Sequence, residues 1–131
     1  MTPNPQDLLQ MMPFSVSCGI EMEETTRDLV TGTLGWALER CTAAGILHGG
    51  ALMTLADSLG AICAFLNLPG GAQTSTIESK TNFFRAVRAG GVHGRARPLH
   101  VGRTTIVVQT ELLDDDGKPV AHVVQTQAVL T

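Results

Sequence analysis

A histidine and two glycines, His48-Gly49-Gly50, precede an apolar segment that carries a single charged residue, Asp57. From Ala51 to Leu66 the segment is apolar on almost every side, which predicts a helix enclosed by the rest of the fold. An ionised carboxylate among apolar side chains is costly unless something compensates for it. Asp57 is therefore either part of a narrow polar stripe with Thr54 and Ser58, or a catalytic carboxylate held in a cleft.

The glycine pair lies where this helix is expected to begin. The first backbone N–H groups of a helix have no acceptor within the helix, and the positive end of the helix dipole lies beside them. Such groups can stabilise a developing oxyanion, and glycine lets a substrate carbonyl approach the backbone closely. An ordinary helix start can also use glycine, so the pair favours acyl-transfer chemistry only in combination with the acid.

The spacing between the glycines and the acid restricts how they could act together. Gly49 and Asp57 are eight positions apart (57 − 49), which corresponds to about 12 Å along a helix. An oxyanion donor and a nucleophile must both lie about 3 Å from one reacting carbonyl. One helix cannot satisfy both distances. We therefore predict a site shared between two subunits, with two equivalent sites in a homodimer.

Strand-like segments lie on both sides of the predicted helix, and a short helix is expected over residues 5–12. The predicted strands are, in order, 15–24, 29–36, 73–87, 92–101, 104–113 and 119–130. The run Asp114-Asp115-Asp116-Gly117-Lys118 is a strong hairpin signal between the last two. This order predicts one α+β domain over 1–131, an antiparallel sheet wrapped round a long central helix. The sheet edges and outer face need cover, which self-association supplies.

The composition argues against several functional classes. The chain has a net charge of −3 and no basic tail, so we expect no nucleic-acid binding. The segment 49–66 is long enough to span a bilayer, but its polar residues favour a buried helix over a membrane span. The N-terminal residues have no basic region followed by an apolar run, so we expect no signal peptide.

The cysteines and histidines do not predict a metal site. The three cysteines, Cys18, Cys41 and Cys63, form no C-x-x-C pair, so each is expected to be a small core residue in a reducing, cytoplasmic compartment. The histidines other than His48 have no Cys, Asp or Glu at metal-ligand spacing. We therefore expect neither a metal nor another cofactor.

Three runs resemble the PaaI-like hot-dog thioesterases. The run 48–57, H-G-G-A-L-M-T-L-A-D, carries most of the likeness. The run 81–87, T-N-F-F-R-A-V, is similar to the family's long strand, and 100–105, H-V-G-R-T-T, is similar to a strand turn near its CoA site. The likeness extends over roughly 46–130 and also includes 4-hydroxybenzoyl-CoA thioesterases with an acid on the central helix. It implies a hot-dog fold, acyl-CoA hydrolysis and a homotetramer made of two dimers.

The resemblance also implies roles for single residues near the glycines. Asp57 matches the family's acid, which acts either as nucleophile on the thioester carbonyl or as general base for water. Gly49 matches the backbone donor that polarises the carbonyl. His48 matches a histidine that shapes the loop and contacts the thioester, or that only supports the loop. Thr42 stands where the family often has Asn or Gln to place water or substrate, so that role would fall to a hydroxyl.

Further residues match positions near the substrate in the relatives. Thr76 either positions water or is an ordinary strand residue. Gly50 lies beside the expected carbonyl site. Arg85, Arg103 and Thr104 match positions that contact the CoA nucleotide or phosphates, for which the donor fork of arginine is suited, or they are simply exposed strand ends.

The substrate class follows from the same likeness. Aromatic acyl groups such as phenylacetyl or hydroxybenzoyl are expected first, and medium-chain fatty acyl groups second. Two alternatives stay open: a hot-dog hydratase or dehydratase acting on an enoyl thioester, and a protein that binds acyl-CoA without catalysis. The second alternative gives no reason for the acid on the apolar helix.

Overall fold

A computed structural model describes residues 4–131, which form one antiparallel sheet and three α-helices. The helices are α1 (Pro5–Gln10), α2 (Pro13–Ser17) and α3 (Gly49–Leu66). The strands are β1 (Ile20–Thr25), β2 (Val30–Gly35), β3 (Gln73–Phe83), β4 (Gly91–Val101), β5 (Thr105–Leu113) and β6 (Pro119–Leu130). The six strands lie in the order β1-β2-β4-β5-β6-β3, and every neighbouring pair is antiparallel.

Helix α3 packs along the inner face of the sheet, chiefly against β2, β4 and β5. Leu55 and Leu59 are fully buried there. Gly94 on β4 permits this packing because a Cβ at that position would overlap Leu59. Although α3 is long and apolar enough for a membrane span, half of it is buried inside the fold, and it is the core helix. A sheet wrapped round one long helix is the predicted α+β arrangement.

The N-terminal part of the prediction was wrong. Residues 15–24 were expected to form a strand, whereas Pro13–Ser17 is a helix and the strand begins only at Ile20. Pro13 ends α1 as expected, but it also stands in the first turn of α2, where its fixed φ suits a helix and its missing N–H is not needed. Gly19, with φ of +83°, then reverses the chain into β1.

The β5–β6 hairpin is closed by Asp114. One of its carboxylate oxygens, Oδ1, accepts hydrogen bonds from the backbone N–H groups of Lys118 and Asp116, both at 2.9 Å. The bond from Lys118 is the largest cause of a lowered pKa of the Asp114 carboxyl, and the bond from Asp116 adds to it. The pKa lies below its ordinary value of 3.8. The predicted turn is therefore present, and the Asp114 carboxylate accepts two backbone hydrogen bonds within it.

Asp114→Asn tests the contribution of this carboxylate. Because the folded-state pKa of Asp114 is lowered, its contribution to stability is complete above the ordinary value of 3.8 and is lost as pH falls through the folded value. The asparagine keeps an acceptor oxygen but does not titrate. We expect the variant to be less stable than the wild type at neutral pH, with the difference shrinking as pH falls below 3.8. Urea unfolding midpoints across this range measure it, and a difference independent of pH would contradict it.

Candidate active site

His48 forms the N-cap of α3 and fixes the loop before it. Its backbone is extended (φ −64°, ψ 135°), and its ring atom Nδ1 accepts a hydrogen bond from the Gly50 N–H at 2.8 Å. Its own N–H donates to the Arg40 carbonyl oxygen at 2.9 Å, which joins the helix start to the preceding loop. Because Nδ1 is the acceptor, the neutral ring carries its hydrogen on Nε2. Nε2–H is thus available as a donor.

The two glycines differ in what their N–H groups do. The Gly50 N–H is used by His48, as described above. Within residues 4–131 the Gly49 N–H has no hydrogen-bond partner, as expected for the first residue of a helix. The ring of Phe83 lies against Gly49, where an added Cβ would come within 3.2 Å of the ring atom Cζ. Gly49 is therefore the glycine that can offer a backbone donor to a ligand.

The histidine faces an open cavity of about 590 Å³. Its walls come from the start of α3, from the loop before α3 and from α2. They are lined by Phe14, Ser17, Cys18, Glu39, Arg40, Cys41, His48, Gly50, Ala51 and Thr54.

Asp57 lies further along α3 and opens into a neighbouring cavity of about 410 Å³. Its side chain is exposed in the single chain. Its Oδ1 atom accepts hydrogen bonds from Thr76 Oγ1 and from Gln125 Nε2, each at 3.4 Å. Phe14 and Thr54 line both cavities, so the two hollows are adjacent. Gly49 and Asp57 nevertheless lie on the same helix, and its rise separates them by about 12 Å.

The structure brings together some predicted residues and separates others. Thr76 lies beside the acid and donates to Asp57 Oδ1, and its role in positioning water stays a prediction. Thr42 is exposed in the loop before His48, its N–H donates to the Ile46 carbonyl oxygen, and it lines neither cavity. Within residues 4–131, no three His, Cys, Asp or Glu side chains group as metal ligands.

The residues matched to CoA contacts lie at opposite ends of the sheet. Arg85 is exposed just after β3, close enough to Asp114 for its charge to help lower the pKa of that carboxyl. Arg103 and Thr104 are exposed in the turn that precedes β5. The nine residues of β5 separate these places by roughly 30 Å. One chain alone therefore does not bring them to the same nucleotide.

Two glutamines behind the acid were missed at the level of sequence. Gln125 and Gln127 are 0% and 1% exposed, and both lie on the inner face of β6. The signal was present, because they continue the apolar face begun by Ala121 and Val123 at every second position. Two amides on a buried strand face need partners, and here the partners include the acid.

Comparisons with known proteins place the chain in a family. Residues 44–121 match the thioesterase superfamily. The 1,4-dihydroxy-2-naphthoyl-CoA hydrolase of Escherichia coli is 36% identical over 86 residues, covering 66% of this chain and 63% of that protein. The proofreading thioesterase EntH of Cronobacter turicensis is 32% identical over 100 residues, covering 76% and 73%. The chain belongs to the thioesterase superfamily.

A solved structure confirms the fold. A mutant of the thioesterase PA1618 from Pseudomonas aeruginosa is 32% identical and superposes with a TM-score of 0.92, covering 99% of this chain and 96% of that one. The hot-dog fold implied by the resemblance is therefore correct. The chain matches only 60% to 63% of the length of the first curated relatives, those from E. coli, P. aeruginosa and Vibrio cholerae.

Proposed function

We propose that this protein is a PaaI-like acyl-CoA thioesterase that hydrolyses the thioester to a free acid and CoA. The observation that carries the proposal is the layout of α3. Its first residue, Gly49, offers a backbone N–H with no partner in the described chain, and its carboxylate, Asp57, lies on the wall of the adjacent cavity. The relative from E. coli is named as a CoA thioester hydrolase, which supports the same chemistry.

The proposed reaction uses the groups on α3 in two roles. The Gly49 N–H polarises the thioester carbonyl, and the Nε2–H of His48, which lines the 590 Å³ cavity, is a second donor. Asp57 either attacks the carbonyl carbon or takes a proton from the water that attacks it. In both cases the C–S bond breaks and the CoA thiolate leaves, to be protonated by solvent. Thr76 holds Asp57, and Thr42 would take part only if its loop moves.

We further propose that each site is completed by a second copy of the chain. Within residues 4–131 the outer edge of β3 is unpaired, and backbone groups along such an edge can pair with another strand. Apolar side chains are exposed beside that edge and on α3: Met53, Ile77, Phe83 and Phe84. A dimer formed there would let the partner's acid approach the Gly49 end of this chain. Two such dimers would form a tetramer, with Gly50, Arg85, Arg103 and Thr104 contributed to CoA binding from different subunits.

The acyl group is proposed to be aromatic, with medium-chain groups next. The cavity beside Asp57 has apolar walls formed by Met12, Phe14 and Met53. Flat or flexible apolar groups fit such a surface better than charged ones. The acyl group in the name of the E. coli relative is also aromatic. A cytoplasmic location, where acyl-CoA is available, is part of the proposal.

A thiol-release assay tests the proposed function. The purified chain is incubated with phenylacetyl-, 4-hydroxybenzoyl-, octanoyl- and crotonyl-CoA, and free CoA is measured with a thiol reagent. We expect release to be fastest with the aromatic substrates. A protein blank is needed because Cys18 and Cys41 are partly accessible and can react with the thiol reagent. Cys63 is buried, and burial, with the nearby Asp28 carboxylate, raises the pKa of its thiol to about 11, which disfavours the reactive thiolate.

The same assay separates the alternatives. Consumption of crotonyl-CoA without free thiol would indicate a hydratase. Binding of acyl-CoA by calorimetry, with no consumption of any substrate, would indicate a non-catalytic binding protein. Either result would overturn the thioesterase proposal.

A further inference from the structure

The hydrogen bonds behind Asp57 form two routes that end on the same oxygen. Along one route, Gln127 Nε2 donates to Thr76 Oγ1 at 2.7 Å, and Thr76 Oγ1 donates to Asp57 Oδ1 at 3.4 Å. Along the other, Gln127 Nε2 donates to Gln125 Oε1 at 3.4 Å, and Gln125 Nε2 donates to Asp57 Oδ1, also at 3.4 Å. Every donor in both routes points towards the carboxylate.

The direction of these bonds is set by the carboxylate, which only accepts. The nitrogen of the Gln125 amide therefore faces Asp57, and its oxygen faces the nitrogen of Gln127. At the far end, Gln127 Oε1 faces Thr74 Oγ1 at 3.1 Å, and the Thr74 hydroxyl is also 3.0 Å from the Ala128 carbonyl oxygen. A reversed Gln127 amide would place its oxygen against the oxygen of Gln125, and both are acceptors. Because the two glutamines are buried, solvent does not compete for these groups.

The fold makes room for this network at a specific place. Gly60, one turn after the acid on α3, lies against the Gln125 amide, and a Cβ there would overlap it. On β3, the register with β6 shifts between Thr76 and Glu78, an irregularity in the ladder next to the threonine that contacts the acid. These two local features let side chains from β3 and β6 reach the Asp57 carboxylate from the sheet.

We propose that Gln125 and Gln127 are positioning residues for the catalytic acid. Their network holds Oδ1 of Asp57 against the sheet, which leaves Oδ2, with no partner in residues 4–131, to act on the substrate. The inference rests on the proposed thioesterase function and names two residues beyond the family match, which ends at residue 121. A held carboxylate starts the reaction in its productive orientation.

The test uses Gln125→Met and Gln127→Met, which keep length and volume but remove the amide. Gln109→Met is the matched control, because Gln109 lies on β5, faces the opposite side of the sheet and bonds His122 through its side chain. We expect kcat for the best acyl-CoA to fall by about 10- to 10²-fold in both test variants, with KM nearly unchanged, and neither parameter to change in the control. Unchanged kcat in folded test variants would overturn the proposal.

Gly60→Ala is the second kind of variant. Both glutamines are still present in this variant, and alanine favours the helix more than glycine does. The added methyl group, however, displaces the Gln125 amide. We expect a lower kcat in Gly60→Ala, and little further loss when the same change is made in Gln125→Met, where the amide is already absent. Independent, multiplying losses would contradict a shared route through Gln125. If the methionine variants do not fold, Gly60→Ala alone is the test, and an unchanged kcat in that variant would overturn the proposal.

Failure of the proposed function is distinguishable from failure of this inference. If the wild type releases no thiol from any acyl-CoA, the thioesterase proposal fails, and the positioning network is then decided by unfolding. Asp57→Ala, Gln125→Met and the double variant form a cycle in urea unfolding free energy. Coupling between the two positions supports a network that holds the acid, and additive effects would overturn it.

Discussion

Asp57→Ala is expected to lower kcat for acyl-CoA hydrolysis by about 10²–10⁴-fold, the range typical of losing a general base or nucleophile. The side chain lies on the wall of the cavity beside α3, and one of its oxygens is held by Thr76 and Gln125. Removing it leaves the carbonyl donors in place but no group to attack or to activate water. Initial rates of CoA release at saturating substrate measure the effect.

Asp57→Asn separates chemistry from shape. The amide keeps an oxygen that Thr76 and Gln125 can donate to, so the local arrangement survives while the basic oxygen is lost. We expect this variant to be nearly as slow as the alanine variant. Asp116→Ala, an exposed acid in the β5–β6 hairpin, is the control and should be as fast as the wild type. A folded Asp57→Ala protein with full activity would remove the acid from the mechanism.

Much of the architecture could be predicted because its signals are local and periodic. The continuous apolar run after His48 predicted α3, and the hairpin signal at 114–118 predicted β6 over 119–130, the bounds observed. The helix at Pro13–Ser17 was missed because four apolar residues at period two, Val16, Cys18, Ile20 and Met22, favoured a strand. Five residues are too few for a helical period to stand out.

The candidate site likewise contains residues that could be predicted from the sequence and residues that could not. Gly49 and Asp57 were recognisable because their chemistry is concentrated in one segment. The glutamines behind the acid were not, because their role depends on how β6 pairs with β3 and on the shift between Thr76 and Glu78. Such a register depends on two strands some fifty residues apart, and neither strand alone has a pattern that indicates it. The separation of Arg85 from Arg103 likewise follows only from the strand order.

Gly49→Pro is expected to lower kcat by about 10²–10³-fold, as for the loss of one oxyanion donor. Proline removes the backbone N–H but suits the first position of a helix, and His48 already has the extended backbone that a residue before proline requires. Gly49→Ala is the matched control, because it introduces the same Cβ contact with Phe83 and keeps the N–H. A proline variant no slower than the alanine variant would show that this N–H does not act on the carbonyl.

Mixing the Gly49→Pro and Asp57→Ala proteins tests whether two chains share each site. In a mixed dimer with shared sites, one site receives the intact acid of one chain and the intact N–H of the other, while the second site receives neither. With free exchange of equal amounts, half of the dimers are mixed, so about one quarter of wild-type activity should return. Sites confined to one chain would give no recovery, because neither protein then contains a complete one. The 12 Å between the two groups on α3 makes recovery the expected result.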